Sequence, residues 1–335
     1  MKAAVLAPVA WRTPPRHYGP WEQVASNIAE GLIKLGVDVT LFATGDSITA
    51  GKLESICERG YEEDRSQDAK VLECLHISNL MERAAEFDII HNNFDFLPLT
   101  YTGLINTPVI TTIHGFSSQR IIPVYKKYNA KGHYVSISNA DRSPELSYLA
   151  TVYNGLDIKD FKFTETPQDY LLYFGRIHHD KGAAEAIQIA KNSKRKLLIA
   201  GIIQDENYWK EKVEPYLNED IQYIGHAGPE KRNELLGNAA ALLHPINFAE
   251  PFGMSVAEAM LCGTPVIAFN KGSMPELIRH QETGLLVNTV DEAVEAVSQL
   301  KNIDRKACYT WASSQFSSEK MAADYYKLYQ QILSK

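Results

Sequence analysis

The chain has 335 residues, 45% hydrophobic and 22% charged. That is long enough for two domains with separate cores, and the composition suggests neither disorder nor a membrane span. A net charge of −7 argues against nucleic acid as the main partner. The opening MKAAVLAPVAW reads as a first strand at 3–9, and its apolar run is too short for a signal peptide or a membrane helix. A Pro- and Gly-rich loop at 11–20 follows, then a helix at 21–35 with Val24, Ile28, Leu32 and Leu35 on one face. A strand is expected at 37–43. Residues 46–67 are polar and poorly patterned. A helix at 69–85 leads to strands at 87–91, 108–113, 134–138 and 150–153.

Strands that alternate with helices predict a parallel sheet covered on both faces. In such sheets ligands bind at the carboxyl ends of the strands. The polar residues that fall there are Gly19-Pro20, His91, His114-Gly115 and Ser138-Asn139. A lone histidine is more often structural than catalytic. His114, followed by glycine at a strand end, has the stronger claim to a site; beside His91, Asn92 and Asn93 compete for the same position. Residues 120–131 carry Arg120, Lys126, Lys127 and Lys131 beside Tyr125 and Tyr128. They read either as a solvated helix face, the favoured reading, or as a membrane-touching helix.

Residues 154–168, NGLDIKDFKFTETPQ, read as a linker between domains. The alternation then restarts. Strands are expected at 170–174, 196–200, 221–224, 241–244, 266–269 and 285–287. Helices are expected at 183–191, 207–217, 229–238 and 290–300, and over much of 305–333. GRIHHDKG follows the strand at 170–174, placing Arg176 and Lys181 on one loop. Two such cations suit a diphosphate, Arg by bidentate bonding and Lys as a point charge; the plain alternative is two exposed surface cations.

EPFGMSVAEAMLCGTP at 250–265 reads as a loop that turns into a helix. Pro251 and Gly253 bend the backbone. Ser255 and Glu258 have the spacing of a capping box, and Gly263 and Pro265 end the helix. A helix start behind a glycine presents free N–H groups and a positive dipole end to an anion. Glu250 and Glu258 flank that turn, separated by roughly 12 Å if helical throughout. They can serve a ribose and a second sugar with a diphosphate between them. The plain alternative is a capping Glu258 and a solvent-facing Glu250. Cys57, Cys74, Cys262 and Cys308 show no metal spacing and fit reduced thiols in a cytoplasmic protein. The sequence contains no P-loop, GxGxxG after the first strand, DxD-like pair at a strand end, HExxH or GxSxG motif.

Together these segments resemble the family 4 retaining glycosyltransferases. EPFGMSVAEAMLCGTPVIA resembles their E-x7-E motif, and Arg176 and Lys181 in GRIHHDKG match the pair that holds the donor diphosphate. TIHGF, SISNADR and VYNGLD resemble family segments in the same order. The resemblance implies an α/β GT-B fold of two Rossmann-like, doubly wound parallel-sheet domains facing a cleft. The expected domains are 1–160 on the acceptor side and 161–317 for the nucleotide sugar, with a helix at about 318–335 packing back on the first. By position, Glu258 would bind the donor ribose. Glu250, with Phe252, Gly253, Met254 and Ser255, would hold the donor sugar and diphosphate, and His114 would line the site near the reacting sugar. The family's frequent Gly-Gly turn is Gly19-Pro20 here, one N–H fewer.

The implied activity is metal-independent hexosyl transfer with retention, using no cofactor. The donor would be a UDP-sugar or, less favoured, GDP-mannose, and the acceptor a small molecule or glycan. Alternatives are a GT-B nucleotide-sugar epimerase, a non-catalytic nucleotide-sugar-binding protein, and a lipid glycosyltransferase with peripheral membrane contact.

Overall fold

The computed structural model describes residues 1–116 and 118–334. Lys335, the end of the helix expected over 318–335, lies outside them. The chain forms two compact units, Met1–Leu156 with Ser317–Lys335, and Asp157–Phe316. Both crossings fall slightly before the expected 160 and 317. Leu156 bridges to Ser317 within the first unit, and Asp157 caps a turn of 3-10 helix at Ile158–Asp160 that opens the second.

The first unit is built on β1 (Lys2–Leu6), α1 (Pro20–Lys34), β2 (Asp38–Phe42), β3 (Lys52–Glu54), α2 (Ala69–Met81), β4 (Ile89–Asn92), β5 (Val109–Ile113), α3 (Ile122–Tyr128), β6 (His133–Ser136) and β7 (Tyr148–Thr151). The strands lie in the order β3-β2-β1-β4-β5-β6-β7, every described pair parallel, with Ala4 registered against Thr40 on one side and Ile90 on the other. Side chains alternate across the sheet. Ala3, Val5 and Ala7 pack with Val24, Ile28 and Leu32 of α1, while Ala4 and Leu6 pack with Leu72 and Leu80 of α2. The poorly patterned stretch 46–67 contains β3, a short edge strand with no alternation to reveal it. In the basic segment 120–131, Ile122 and Tyr125 are buried inside this unit and Lys126 pairs with Glu145 at 2.7 Å.

The second unit comprises β8 (Tyr170–Phe174), α4 (Ala183–Ser193), β9 (Lys196–Ala200), α5 (Glu206–Tyr208), β10 (Ile221–Tyr223), α6 (Pro229–Asn238), β11 (Ala241–His244), α7 (Met254–Leu261), β12 (Val266–Phe269), α8 (Met274–Leu277), β13 (Gly284–Val287), α9 (Val290–Gln299) and α10 (Arg305–Gln315). Its parallel sheet runs β10-β9-β8-β11-β12-β13. The helix expected at 207–217 is broken into α5, a π turn at Trp209–Val213 and a 3-10 turn at Glu214–Tyr216; Pro215 lacks the N–H that an α-helix would use. The 154–168 stretch is not a free linker. Thr164 donates its N–H to Cys262 O at 3.1 Å, and its carbonyl accepts Arg305 Nε at 2.7 Å.

The chain then returns to the first unit as α11 (Ser318–Leu333), so the helical stretch expected over 305–333 is two helices. Ser317 starts the second by accepting the Lys320 N–H at 3.3 Å. On α1, a Cβ added at Gly31 would sit 2.4 Å from Ala322 Cβ, so the glycine sets how closely α1 and α11 approach. Tyr329 and Tyr325 of α11 are buried, with hydroxyls 2.7 Å from His91 Nδ1 and 2.6 Å from Thr112 Oγ1. Each sheet reverses its strand order once, between β1 and β4 and between β8 and β11. Loops at the carboxyl ends of those strands are where such sheets place ligands.

Candidate functional site

In the second unit, the reversal brings the loop after β8 beside the loop after β11. The first ends in a 3-10 turn, His179–Lys181. Lys181 Nζ lies 2.5 Å from Glu250 Oε2 and 4.6 Å from the centre of the Phe248 ring. Both charged side chains are largely buried, with 16% and 12% exposure, so a salt bridge here is little screened by solvent. His244, the last residue of β11, places Nε2 3.8 Å from the same Glu250 oxygen. Burial pushes the His244 pKa down to about 4, the neighbouring Glu250 opposing this, so His244 is neutral near pH 7. The sequence reading missed His244, although a histidine at a strand's carboxyl end was the signal that drew attention to His91 and His114.

Arg176 is half-buried, and its guanidinium bonds to Gln204 in the loop after β9. Its carbonyl accepts the Tyr173 hydroxyl at 2.7 Å, which fixes the backbone at the start of the loop. The structure therefore joins Lys181 to Glu250 and gives Arg176 a separate partner.

Helix α7 begins at Met254, so Ser255 is its second residue and the expected capping box is not formed. Gly253 is the N-cap, at φ 91° and ψ 64°, a left-handed conformation that favours glycine. No side chain of the cap residue bonds to the helix start, and the first N–H groups of a helix have no intrahelical acceptor. Ser273 steadies the approach: its N–H donates to Glu250 O at 3.0 Å and its hydroxyl to Phe252 O at 2.6 Å. Phe252 is buried; Met254 and Ser255 are half-buried at the helix start.

Glu258 is buried one turn further along α7, where Arg232 of α6 pairs with its Oε1 at 3.1 Å. Burial raises the Glu258 pKa and Arg232 opposes the rise. The Arg232 guanidinium also lies over Phe161, 4.8 Å from the ring centre. Sequence spacing gave no sign of Arg232, because the contact depends on how α6 packs beside α7.

In the first unit, His114 follows β5 directly. Its Nε2 lies 3.0 Å from Asn93 Oδ1, and its ring stacks on Trp21 with centroids 5.6 Å apart and planes 25° apart. Burial lowers its pKa to about 3. With Nε2–H donated to Asn93, Nδ1 is left as a buried acceptor with no protein partner among the described residues. His91 is structural: its ring nitrogens bond to Tyr329 and to Thr112, both at 2.7 Å. Gly19 is the N-cap of α1 and Pro20 its first residue, so the helix start lacks that N–H. Behind it, buried Glu22 accepts the Trp11 N–H at 3.3 Å, and burial raises its pKa to about 7. Among the described residues, a group of three potential metal ligands, His178, His179 and Asp205, lies in the second unit on the loops after β8 and β9.

Two family profiles lie end to end along the chain: Glycosyltransferase Family 4 at residues 21–158 and Glycosyl transferases group 1 at 157–312. An uncharacterized glycosyltransferase of Methanocaldococcus jannaschii is 21% identical over 332 residues, covering 84% of each chain. An uncharacterized protein in the cps region of Klebsiella pneumoniae is 32% identical over 168 residues, a match spanning 48% of this chain and only 45% of that one. Among solved structures, AviGT4, a glycosyltransferase involved in avilamycin A biosynthesis, superposes with a TM-score of 0.73 at 22% identity, covering 100% of this chain and 98% of that one. HepE of Anabaena in complex with UDP and glucose gives 0.75 at 18% identity, covering 99% and 100%. These likenesses give the fold as GT-B. No described helix is long and apolar enough to cross a membrane. By its two consecutive profiles and its pair of doubly wound units, the chain belongs to the group 1 glycosyltransferases, with an N-terminal half of the family 4 type.

Proposed function

We propose that the protein moves a hexose from a nucleoside-diphosphate sugar to an acceptor hydroxyl, with retention at the anomeric carbon and no metal in the reaction. The observation that carries this reading is the buried Lys181–Glu250 pair in the same switch-point loops as the α7 N-terminus. A lysine ammonium has several N–H donors, so Lys181 can hold Glu250 and a phosphate oxygen together. Lys181, Arg176 and the free N–H groups at Gly253, Met254 and Ser255 take up charge as it develops on the leaving diphosphate. Glu250 accepts hydroxyls of the donor sugar. Glu258 binds the ribose through Oε2, since Arg232 engages Oε1.

In the first unit, His114 Nδ1 is a buried acceptor available to a sugar hydroxyl, and Gly19 supplies the backbone turn at the start of α1. A histidine whose pKa is held near 3 is too weak a base to deprotonate the acceptor at neutral pH. The leaving phosphate is the base we assign to the acceptor proton, with attack on the face it leaves. A double displacement would need a nucleophilic carboxylate beneath the anomeric carbon; Glu250 is the candidate, and the resemblance to the retaining family speaks against that role.

A UDP-hexose is the favoured donor, in line with the UDP and glucose bound by HepE. GDP-mannose is the alternative, raised by 27% identity over 216 residues to O-antigen chain mannosyltransferase B of Escherichia coli. The test is incubation with each nucleotide sugar and a panel of acceptors in the presence of a chelator. Diphosphate release and the product's anomeric configuration are read by chromatography and NMR. Acceptor-dependent release with retained configuration is expected. Epimerisation without acceptor, or binding without turnover, would overturn the reading.

A further inference from the structure

We propose that His178, His179 and Asp205 form a binding site for a divalent transition-metal ion of the zinc type, which ties the loop after β8 to the loop after β9. The two histidines are adjacent in sequence, with ring centroids 4.1 Å apart. His178 is extended, at φ −149° and ψ 149°, and caps the 3-10 turn that His179 begins. Parallel pairing of β8 with β9, continued by the Ile177–Ile203 bridge, carries Asp205 to the same place. One ligand atom from each of the three residues lies within 4.8 Å of the other two.

The orientation of the side chains is what separates this group from a chance surface cluster. His179 Nδ1 and Asp205 Oδ2 are 3.4 Å apart, long for a hydrogen bond. Two ligands bonded at about 2.0–2.1 Å to a tetrahedral metal are separated by about 3.3–3.4 Å. The other nitrogen of His179, Nε2, lies 3.0 Å from Asp180 Oδ1. A carboxylate there holds the Nε2–H tautomer and leaves Nδ1 as the metal-binding nitrogen, the usual support for a ligating histidine. Asp205 Oδ1 receives the Tyr208 N–H at 3.0 Å, which aims Oδ2 at the histidines. Two imidazoles and one carboxylate select zinc, nickel or copper; magnesium and calcium prefer all-oxygen sites. The ion would clamp the loop that carries Arg176 and Lys181 to the loop that carries Gln204, which already bonds to Arg176. The proposal does not depend on the chemistry at Lys181 and Glu250 and can fail separately from it.

The experiment is titration calorimetry of the chelator-stripped full chain with Zn²⁺ and, in parallel, Mg²⁺. His179→Ala removes an exposed side chain, and Asp205→Asn keeps a residue able to cap α5. The expected result is one equivalent of zinc bound at low micromolar concentration, with much weaker magnesium binding. Each variant should bind zinc at least about tenfold more weakly while melting as the wild type does without metal. Zinc binding only at millimolar concentration, magnesium binding as tight as zinc, or unchanged zinc affinity in either variant would overturn the proposal.

Discussion

Glu250 meets a cation, Lys181, and a neutral imidazole, His244, in a confined space. Removing the Lys181 ammonium takes away one of the groups assigned to the leaving diphosphate. Lys181→Ala is expected to lower transfer by about 10²–10³-fold, the loss typical of a missing transition-state donor. Steady-state rates on the folded variant measure this, and near-normal transfer would remove Lys181 from the mechanism. Glu22 shows the opposite use of a buried carboxylate. Its pKa is raised by burial from 4.5 to about 7. Below pH 4.5 both folded and unfolded chains hold the proton. Between 4.5 and 7 only the folded chain does, so stability falls as pH rises through that window, and above it the contribution of the protonated Glu22 is gone while the rest of the fold's stability is untouched. The shift corresponds to about 3 kcal/mol. Glu22→Gln is therefore expected to raise the melting temperature relative to wild type at pH 8 and leave it almost unchanged at pH 4. Equal effects at the two pH values would contradict the assignment.

At the scale of elements, α7 and α11 carry the clearest consequences. A Cβ added at Gly253 would meet Met274 Cε at 2.7 Å, and the left-handed backbone adds a cost of about 1–2 kcal/mol for other residues. Gly253→Ala should therefore move the α7 start and weaken donor binding more than it lowers overall stability; a calorimetric donor titration beside a melting curve separates the two. On α11, Tyr329→Phe removes the hydroxyl bonded to buried His91 and should cost about 1–3 kcal/mol in chemical denaturation, with no direct effect on transfer.

The same elements show what was legible in the sequence. The strands at 170–174, 196–200, 241–244 and 266–269 match the structure residue for residue, because runs such as YLLYF and VIAF sit between turn signals. β3 was not legible: one exposed and two half-exposed residues at a sheet edge carry no pattern. The Ser255–Glu258 spacing misled because the same residues also fit the second and fifth positions of a helix started by Gly253. Arg176, Lys181, Glu250 and Glu258 were legible as residue types at fixed offsets. Arg232 was not, because its contact joins segments far apart in sequence; Asn93 was legible as a polar strand-end residue, but its bond to His114 was not. His244 had a local signal, a histidine closing a strand, but only the strand register shows that it faces Glu250.

At the scale of the whole molecule, the chain builds the doubly wound pattern twice and crosses between units at 156 and 316. In each unit the reversal of strand order concentrates the polar residues at one end of the sheet, while alternating apolar positions build the core. That division explains how one architecture holds a charged group, Lys181 with Glu250, beside a dry interior. The second unit carries Arg176, Lys181, both glutamates and the glycine-capped start of α7, so the proposed nucleotide site lies there. The most direct test is a thermal-shift measurement of the intact chain against UDP, GDP, ADP and their sugars in the presence of a chelator, repeated with Lys181→Ala. A ligand at about 100 times its dissociation constant adds about 2.7 kcal/mol of stability. A clear rise with one nucleotide class, reduced or lost in the variant, is expected; no rise with any nucleotide would contradict nucleotide-sugar binding by the second unit.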